Sequence, residues 1–144
     1  MYSIVMPIQR SIEKKVKEYT NQYPVITIVG PRRSGKTTLC KMLFQHKPYV
    51  SLENPDERAF AAEDPKGFLH RFPKGAVLDE IQRSPDLVSY IQSIVDEKDE
   101  TGMYILTGSQ QFELMENISQ SLAGRTAIVR LLPFSVNEIY SDDP

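Results

Sequence analysis

The sequence holds one cysteine, Cys40, so no disulfide can form within it. Cys40 lies among Leu39, Met42 and Leu43 and reads as a buried helix residue, not a reactive thiol. The two histidines, His46 and His70, have no partner pattern, which speaks against a zinc site. No apolar run approaches the roughly 20 residues that a membrane span needs. Met1–Arg10 lacks the charged-then-apolar pattern of a signal peptide. The expected setting is therefore reducing and cytoplasmic. A strong excess of either charge is missing too. The net charge of −2 argues against broad electrostatic binding of nucleic acid, and nothing else in the segment points to such a partner. There is no internal repeat, low-complexity tract or interdomain linker, so the 144 residues read as one domain with room for a real core.

What is present is a phosphate-binding stretch. Gly30-Pro31-Arg32-Arg33-Ser34-Gly35-Lys36-Thr37 fits G-x-x-x-x-G-K-[ST], the P-loop or Walker A pattern. Before it runs Val25–Val29, β-branched throughout and nearly all apolar, which reads as a strand buried on both faces. After it come Thr38 to Phe44, compatible with a helix. Gly30 and Gly35 let the backbone approach an anion closely. The amides of the loop and of the first helical turn, through Thr38, point at the phosphates, aided by the helix dipole. Lys36 is placed to reach the β- and γ-phosphates, and the Thr37 hydroxyl to ligate Mg²⁺. Arg32 and Arg33 face phosphate, a partner or simply solvent.

The rest of the chain alternates strand and helix. Ile8, Ile12, Val16 and Tyr19 recur at helical spacing, predicting an amphipathic helix over about 8–21. The helix after the loop is expected to end between Gln45 and Lys47, before Pro48. Tyr49–Leu52 reads as a short strand, and residues 56–63 and 64–72 as two short helices. Ala76–Glu80 is a strand, and Ser84 caps a helix that has Pro85 at its first position and runs to Glu97. Met103–Thr107 is a strand. Phe112–Asn117 and Ser119–Gly124 are short helical pieces. Thr126–Leu132 is the last strand, and Ser135–Tyr140 begins a further helix. Five strand–helix alternations call for an α/β fold with a parallel sheet covered on both faces.

Asp79 and Glu80 are the second chemically loaded pair. In parallel sheets ligands sit at the carboxyl ends of strands, where Asp79 ends its own. That position suits a Walker B aspartate holding Mg²⁺, with Glu80 taking a proton from the water that attacks a γ-phosphate. A further strand, Tyr49–Leu52, lies between the P-loop strand and the Asp79 strand in sequence. That insertion, with glutamate beside aspartate, looks like the additional-strand, catalytic-glutamate class of P-loop proteins. No N-K-x-D guanine-reading motif is present, against a GTPase. Ser109, or less favourably Thr107, is placed to orient the attacking water or touch the γ-phosphate. Arg125, just before the last strand, is a candidate arginine finger for a neighbouring subunit's nucleotide.

Taken in order, GPRRSGKTTL, YVSLENPDERAFAAEDPKGFL, LDEIQRSPDLVSYIQSIVDE, YILTGSQQFELMENISQSLAGRT and LLPFS resemble the prokaryotic AAA+-type ATPases. In that family an N-terminal P-loop core is followed by a helical region and an uncharacterised, partly nuclease-like C-terminal domain. The resemblance covers about Ile12 to Ser135. It implies a three-layer P-loop NTPase fold with strand order 5-1-4-3-2. It also implies that Lys36, Thr37, Asp79, Glu80, Ser109 and Arg125 hold the roles just given. Glu53 or Asn54 is a candidate to hold Glu80 in an inactive rotamer, as a polar residue there does in many AAA+ proteins. The 144 residues are expected to be the core alone, without the lid and C-terminal domain. The expected function is binding of Mg·ATP and its hydrolysis, with self-association through Arg125. The alternatives are an ATP-dependent switch with little turnover, or a P-loop small-molecule kinase.

Overall fold

The computed structural model describes residues 2–31 and 34–132. In chain order the elements are α1 (Tyr2–Thr20), β1 (Val25–Val29), α2 (Lys36–Leu43), β2 (Tyr49–Ser51), α3 (Pro55–Glu63), α4 (Pro65–His70), β3 (Val77–Asp79), a 3-10 turn (Ile81–Arg83), α5 (Leu87–Lys98), β4 (Tyr104–Gly108), α6 (Phe112–Ser121) and β5 (Thr126–Arg130). All five strands are parallel and lie in the order β2-β3-β4-β1-β5. Read from the other edge this is the expected 5-1-4-3-2. The strand bearing Asp79 is separated from the P-loop strand by β4, the arrangement that the additional-strand class requires.

Side-chain alternation sorts the strands into two cores. Val25, Leu78, Tyr104 and Leu106 face one side, with Phe68, Leu87, Ile91, Leu114 and Ile118 from α4, α5 and α6. Ile26, Ile28, Val77 and Ile105 face the other, with Val16 of α1 and Leu39 and Cys40 of α2. The sheet is therefore the middle of three layers, and β1 and β4 are buried at every position.

Several boundaries differ from the sequence expectation, for local reasons. The first helix begins well before residue 8, at Tyr2. α2 stops at Leu43. Ser84 does not cap a helix. The chain leaves β3 through the 3-10 turn, and its next bonds are of the same short type, Leu87 N to Ser84 O and Val88 N to Pro85 O, so the α-helix starts only at Leu87. The two pieces expected after Gln111 are one helix, α6. Leu114, Ile118 and Leu122 follow one another at four-residue spacing, and all are buried, so a single face docks without a break. The helix expected at Ser135–Tyr140 lies outside the described residues.

Candidate functional site

The carboxyl ends of β1, β3 and β4 converge on one edge of the sheet, and Lys36, Thr37, Asp79, Glu80 and Ser109 gather there. The loop after β1 is shaped by its two glycines. Gly35 has φ +88° and precedes α2 directly, a conformation that side chains with a Cβ resist. At Gly30 the constraint is space: a Cβ would lie 2.7 Å from the Leu131 carbonyl and 2.8 Å from Ser34 Oγ. The amides of α2's first turn open toward this loop, so the helix dipole favours an anion there.

Lys36 begins α2 and is only 5% exposed. Its Nζ donates to Gly30 O at 3.0 Å and Pro31 O at 3.1 Å, folding the side chain back over the loop. It also lies 3.9 Å from Glu80 Oε1. Thr37, one residue on, donates from Oγ1 to Asp79 Oδ2 at 3.0 Å. Loop, lysine, hydroxyl and both carboxylates are thus joined by hydrogen bonds and one longer ion-pair contact. Thr38 is exposed on the first turn of α2, and Arg32 and Arg33 lie outside the described residues.

Asp79 is a buried carboxylate, 4% exposed, ringed by hydroxyls. Thr37 and Tyr49 donate to Oδ2, and Thr107 donates to Oδ1. Desolvation by burial and the bond to Asp79 both push the Tyr49 phenol well above its ordinary range, keeping it a donor. Two hard oxygens side by side, a hydroxyl and a carboxylate, fit the partial ligand set of Mg²⁺, which keeps waters and takes phosphate oxygens for the rest.

Glu80 follows with φ 63° and ψ 54°, a left-handed backbone unusual for a residue with a side chain. Its amide donates to Thr107 Oγ1 at 3.0 Å. Its carboxylate accepts from Gln82 Nε2. Asn54 does not hold Glu80. Its side chain accepts from the amides of Asp56 (2.9 Å) and Glu57 (3.4 Å) as the N-cap of α3, which removes it as a latch.

Ser109 Oγ and Ser34 Oγ are buried and without a hydrogen-bond partner among the described residues. Thr107, the less favoured of the two hydroxyls at this strand end, already donates to Asp79 and accepts from the Glu80 amide. Gln82 and Tyr49 were not picked out from the sequence. Gln82 lies two residues beyond Glu80, but only the unexpected 3-10 turn brings its side chain back to that carboxylate. Tyr49 had no readable signal, since only the β2–β3 pairing, with Tyr49 opposite Val77, brings its ring to Asp79.

Arg125 is not part of this group. Its carbonyl accepts from Val25 N at 3.1 Å, so it sits beside the first residue of β1, at the amino edge of the sheet. Its guanidinium makes a two-pronged pair with Asp96 of α5, Nε to Oδ1 at 2.5 Å and NH2 to Oδ2 at 2.9 Å. That bond holds the Asp96 carboxyl below its ordinary range and raises Arg125. Cys40, on the buried face of α2, is the inert thiol expected, pushed up to about 12 by burial first and by Asp79 second.

With this geometry in view, a family profile describing the AAA domain matches residues 22–140. The chain belongs to this AAA+-type P-loop ATPase family. At the level of the family, that means nucleotide binding and an ATPase-type hydrolase. Uncharacterised proteins of Mycobacterium tuberculosis and Mycobacterium bovis are 30% identical to the AAA chain over 135 residues, covering 92% of it and 30% of their own length. The chain therefore spans less than a third of the curated relatives it matches. Among solved structures, a Walker-type ATPase of Pyrococcus abyssi aligns with TM-score 0.60 at 16% identity, over 92% of this chain and 56% of that one. AMPPCP-bound DnaA from Aquifex aeolicus aligns with TM-score 0.54 at 16% identity, over 90% and 46%. These two likenesses are of fold. No helix among the described residues is long and apolar enough to cross a membrane.

Proposed function

We propose that this chain binds Mg·ATP through Gly30–Thr38, as a Walker A loop, and hydrolyses it to ADP and phosphate with Asp79 and Glu80 as the Walker B pair. The observation that carries the reading is the convergence of Lys36, Thr37, Asp79 and Glu80 on one strand edge, with Thr37 Oγ1 3.0 Å from Asp79 and Lys36 Nζ 3.9 Å from Glu80. The loop amides and Lys36 hold the phosphates, Lys36 exchanging its bonds to Gly30 O and Pro31 O for phosphate oxygens. Thr37 and Asp79 hold Mg²⁺, which supplies charge neutralisation on the phosphate oxygens. Glu80 takes a proton from a water whose oxygen attacks the γ-phosphorus. The bond from that phosphorus to the bridging oxygen breaks, and its electron pair leaves on the β-phosphate of ADP. Ser109, whose buried Oγ has no other partner among the described residues, orients that water or the γ-phosphate.

The chain serves as the core of a larger cytoplasmic protein. Its share of the relatives' length and its single, buried cysteine support that reading. Arg125 belongs to the proposal only across subunits. Five residues of β1, at about 3.3 Å each, put it roughly 16 Å from the P-loop of its own chain.

Lys36→Ala is the direct test. It removes the mobile positive charge over the phosphates, so calorimetry on the full protein is expected to show no Mg·ATP binding. Equal affinity for variant and parent would overturn the assignment of the loop.

A further inference from the structure

We propose that Gln82 is a positioning residue that aims the Glu80 carboxylate and couples it to the loop following β4. The proposal rests on the hydrolase reading of the same site and adds to it a residue that no sequence motif assigned.

Both ends of the Gln82 amide are in use. Nε2 donates to Glu80 Oε2, and Oε1 accepts from the backbone N–H of Ser109 at 3.3 Å. Only a carboxamide offers a donor and an acceptor in this way. A glutamate would turn acceptors toward Glu80, and a lysine would leave the Ser109 amide unserved. The side chain is also closely fitted. A Cβ on Gly108 would stand 2.9 Å from Gln82 Oε1 and 2.6 Å from Leu114 Cδ2. The end of β4 therefore has room for Gln82 because the residue there is glycine. From below, the turn is anchored by Ile81, which is fully buried, and closed by Arg83 N to Glu80 O and Ser84 N to Ile81 O, both 3.0 Å.

The two oxygens of Glu80 face opposite demands. Oε1 stands 3.9 Å from the Lys36 ammonium, at the outer limit of an ion pair, while Oε2 is held by Gln82. Without Gln82 the carboxylate loses the bond that fixes its direction. Because the other end of Gln82 grips the Ser109 amide, the direction of the carboxylate follows the position of the loop that carries Ser109. A base tied to the loop that senses phosphate is set only when that loop is set.

The test compares Gln82→Met and Gln82→Ala in the full-length protein, each alone and combined with Glu80→Gln. Methionine keeps the volume packed against Gly108 and removes both hydrogen bonds. Thermal melting of each variant shows that it is folded. Calorimetry gives Mg·ATP affinity, and single-turnover and steady-state hydrolysis give rate and KM. Gln82→Met is expected to lower kcat by about 10- to 100-fold, the scale of a misplaced reacting group, with KM and affinity within about twofold of the parent. In the Glu80→Gln background it is expected to change nothing further, since a residue that acts through Glu80 has nothing left to position. Parental kcat in Gln82→Met overturns the proposal. So does a loss confined to affinity, or a second, additive loss in the Glu80→Gln background. If Glu80→Gln alone hydrolyses ATP at the parental rate, it is the base assignment itself that fails, and that result is separate from the others.

Discussion

Thr107→Val probes how a buried carboxylate is held at the centre of this fold. Thr107 is fully buried on β4, and its hydroxyl serves two neighbours at once. It donates to Asp79 Oδ1 and accepts the Glu80 amide at 3.0 Å. Valine has nearly the same shape, so no cavity opens, but both bonds go. A hydrogen bond to a charged group contributes about 1.5–3 kcal/mol and a neutral one about 1. The Glu80 N–H and one Asp79 oxygen are then left short of partners beneath the sheet. Set against about 1 kcal/mol gained by burying a methyl in place of a hydroxyl, the expected loss is about 1.5–3 kcal/mol. For a domain of this size that is a fall in melting temperature of roughly 4–12 °C. Thr107→Ser is the control. It keeps both bonds and loses only a methyl, about 1 kcal/mol. Thermal unfolding at neutral pH, followed by circular dichroism, is expected to rank parent above Ser above Val. A Val variant that melts at or above the Ser variant would refute the reasoning, because the hydroxyl would then not be what holds Asp79.

Three further outcomes follow from the same geometry. Glu80→Gln is expected to leave Mg·ATP binding intact and to lower turnover by about 10²-fold or more, whereas Asp79→Asn weakens the Mg²⁺ dependence; metal titrations of binding and rate separate the two. Stability is expected to fall at alkaline pH. The folded pKa of Cys40, about 12 against an ordinary 9.0, and that of Tyr104, about 12 against 10.0, are both raised by burial. The folded state therefore keeps protons that the unfolded chain gives up, and stability is lost as the pH rises toward 12, from about pH 9 for Cys40 and from about pH 10 for Tyr104, by about 1.4 kcal/mol per pH unit for each group. Urea unfolding of Cys40→Ala is expected to show a shallower decline from pH 9 than the parent, and an identical slope would remove Cys40 from the account. Finally, turnover per molecule is expected to rise with protein concentration, and Arg125→Ala mixed with Lys36→Ala to recover activity that neither has alone. Hydrolysis independent of concentration, with no rescue on mixing, would rule out action between subunits.

The parts of the site that were legible in the sequence are those built from neighbours along the chain. A P-loop needs glycines at fixed offsets between a strand and a helix, and Gly30, Gly35, Lys36 and Thr37 meet that need within eight residues. Asp79 and Glu80 were readable because they end an apolar run. The strand order came from the resemblance alone, since nothing local says that β4 inserts between β1 and β3. What escaped was made by pairing at a distance. Tyr49 meets Asp79 only through β2–β3 register, and Thr107 meets it only because β4 lies beside β3. Gln82 was hidden by a misread turn. Ser84-Pro85 carries a strong helix-start signal, and the 3-10 turn that delays the helix to Leu87 is the same turn that aims Gln82 back at Glu80.

A parallel sheet has two unlike edges, and this one separates the candidate chemistry from its candidate partner. The βα crossovers bring every strand in the same direction, so Gly30, Asp79 and Ser109 emerge together at the carboxyl edge. Arg125, one residue before β5, is obliged to lie at the other. No rotamer of an arginine spans the full length of β1, so if Arg125 meets a nucleotide, that nucleotide is bound to another chain. The Asp96 pair does not stand in the way. Asp96 is exposed and Arg125 partly so, and surface ion pairs are weak and screened by salt. Asp96 and the Ala123 carbonyl instead hold the guanidinium at this end of the domain. A neighbour presenting phosphate there offers the same planar, two-pronged acceptor that Asp96 offers now. The exchange would trade one charged partner for another and leave no buried charge uncompensated. For an arginine that acts on a nucleotide from this position, assembly is then a geometric requirement, and concentration is the variable that tests it.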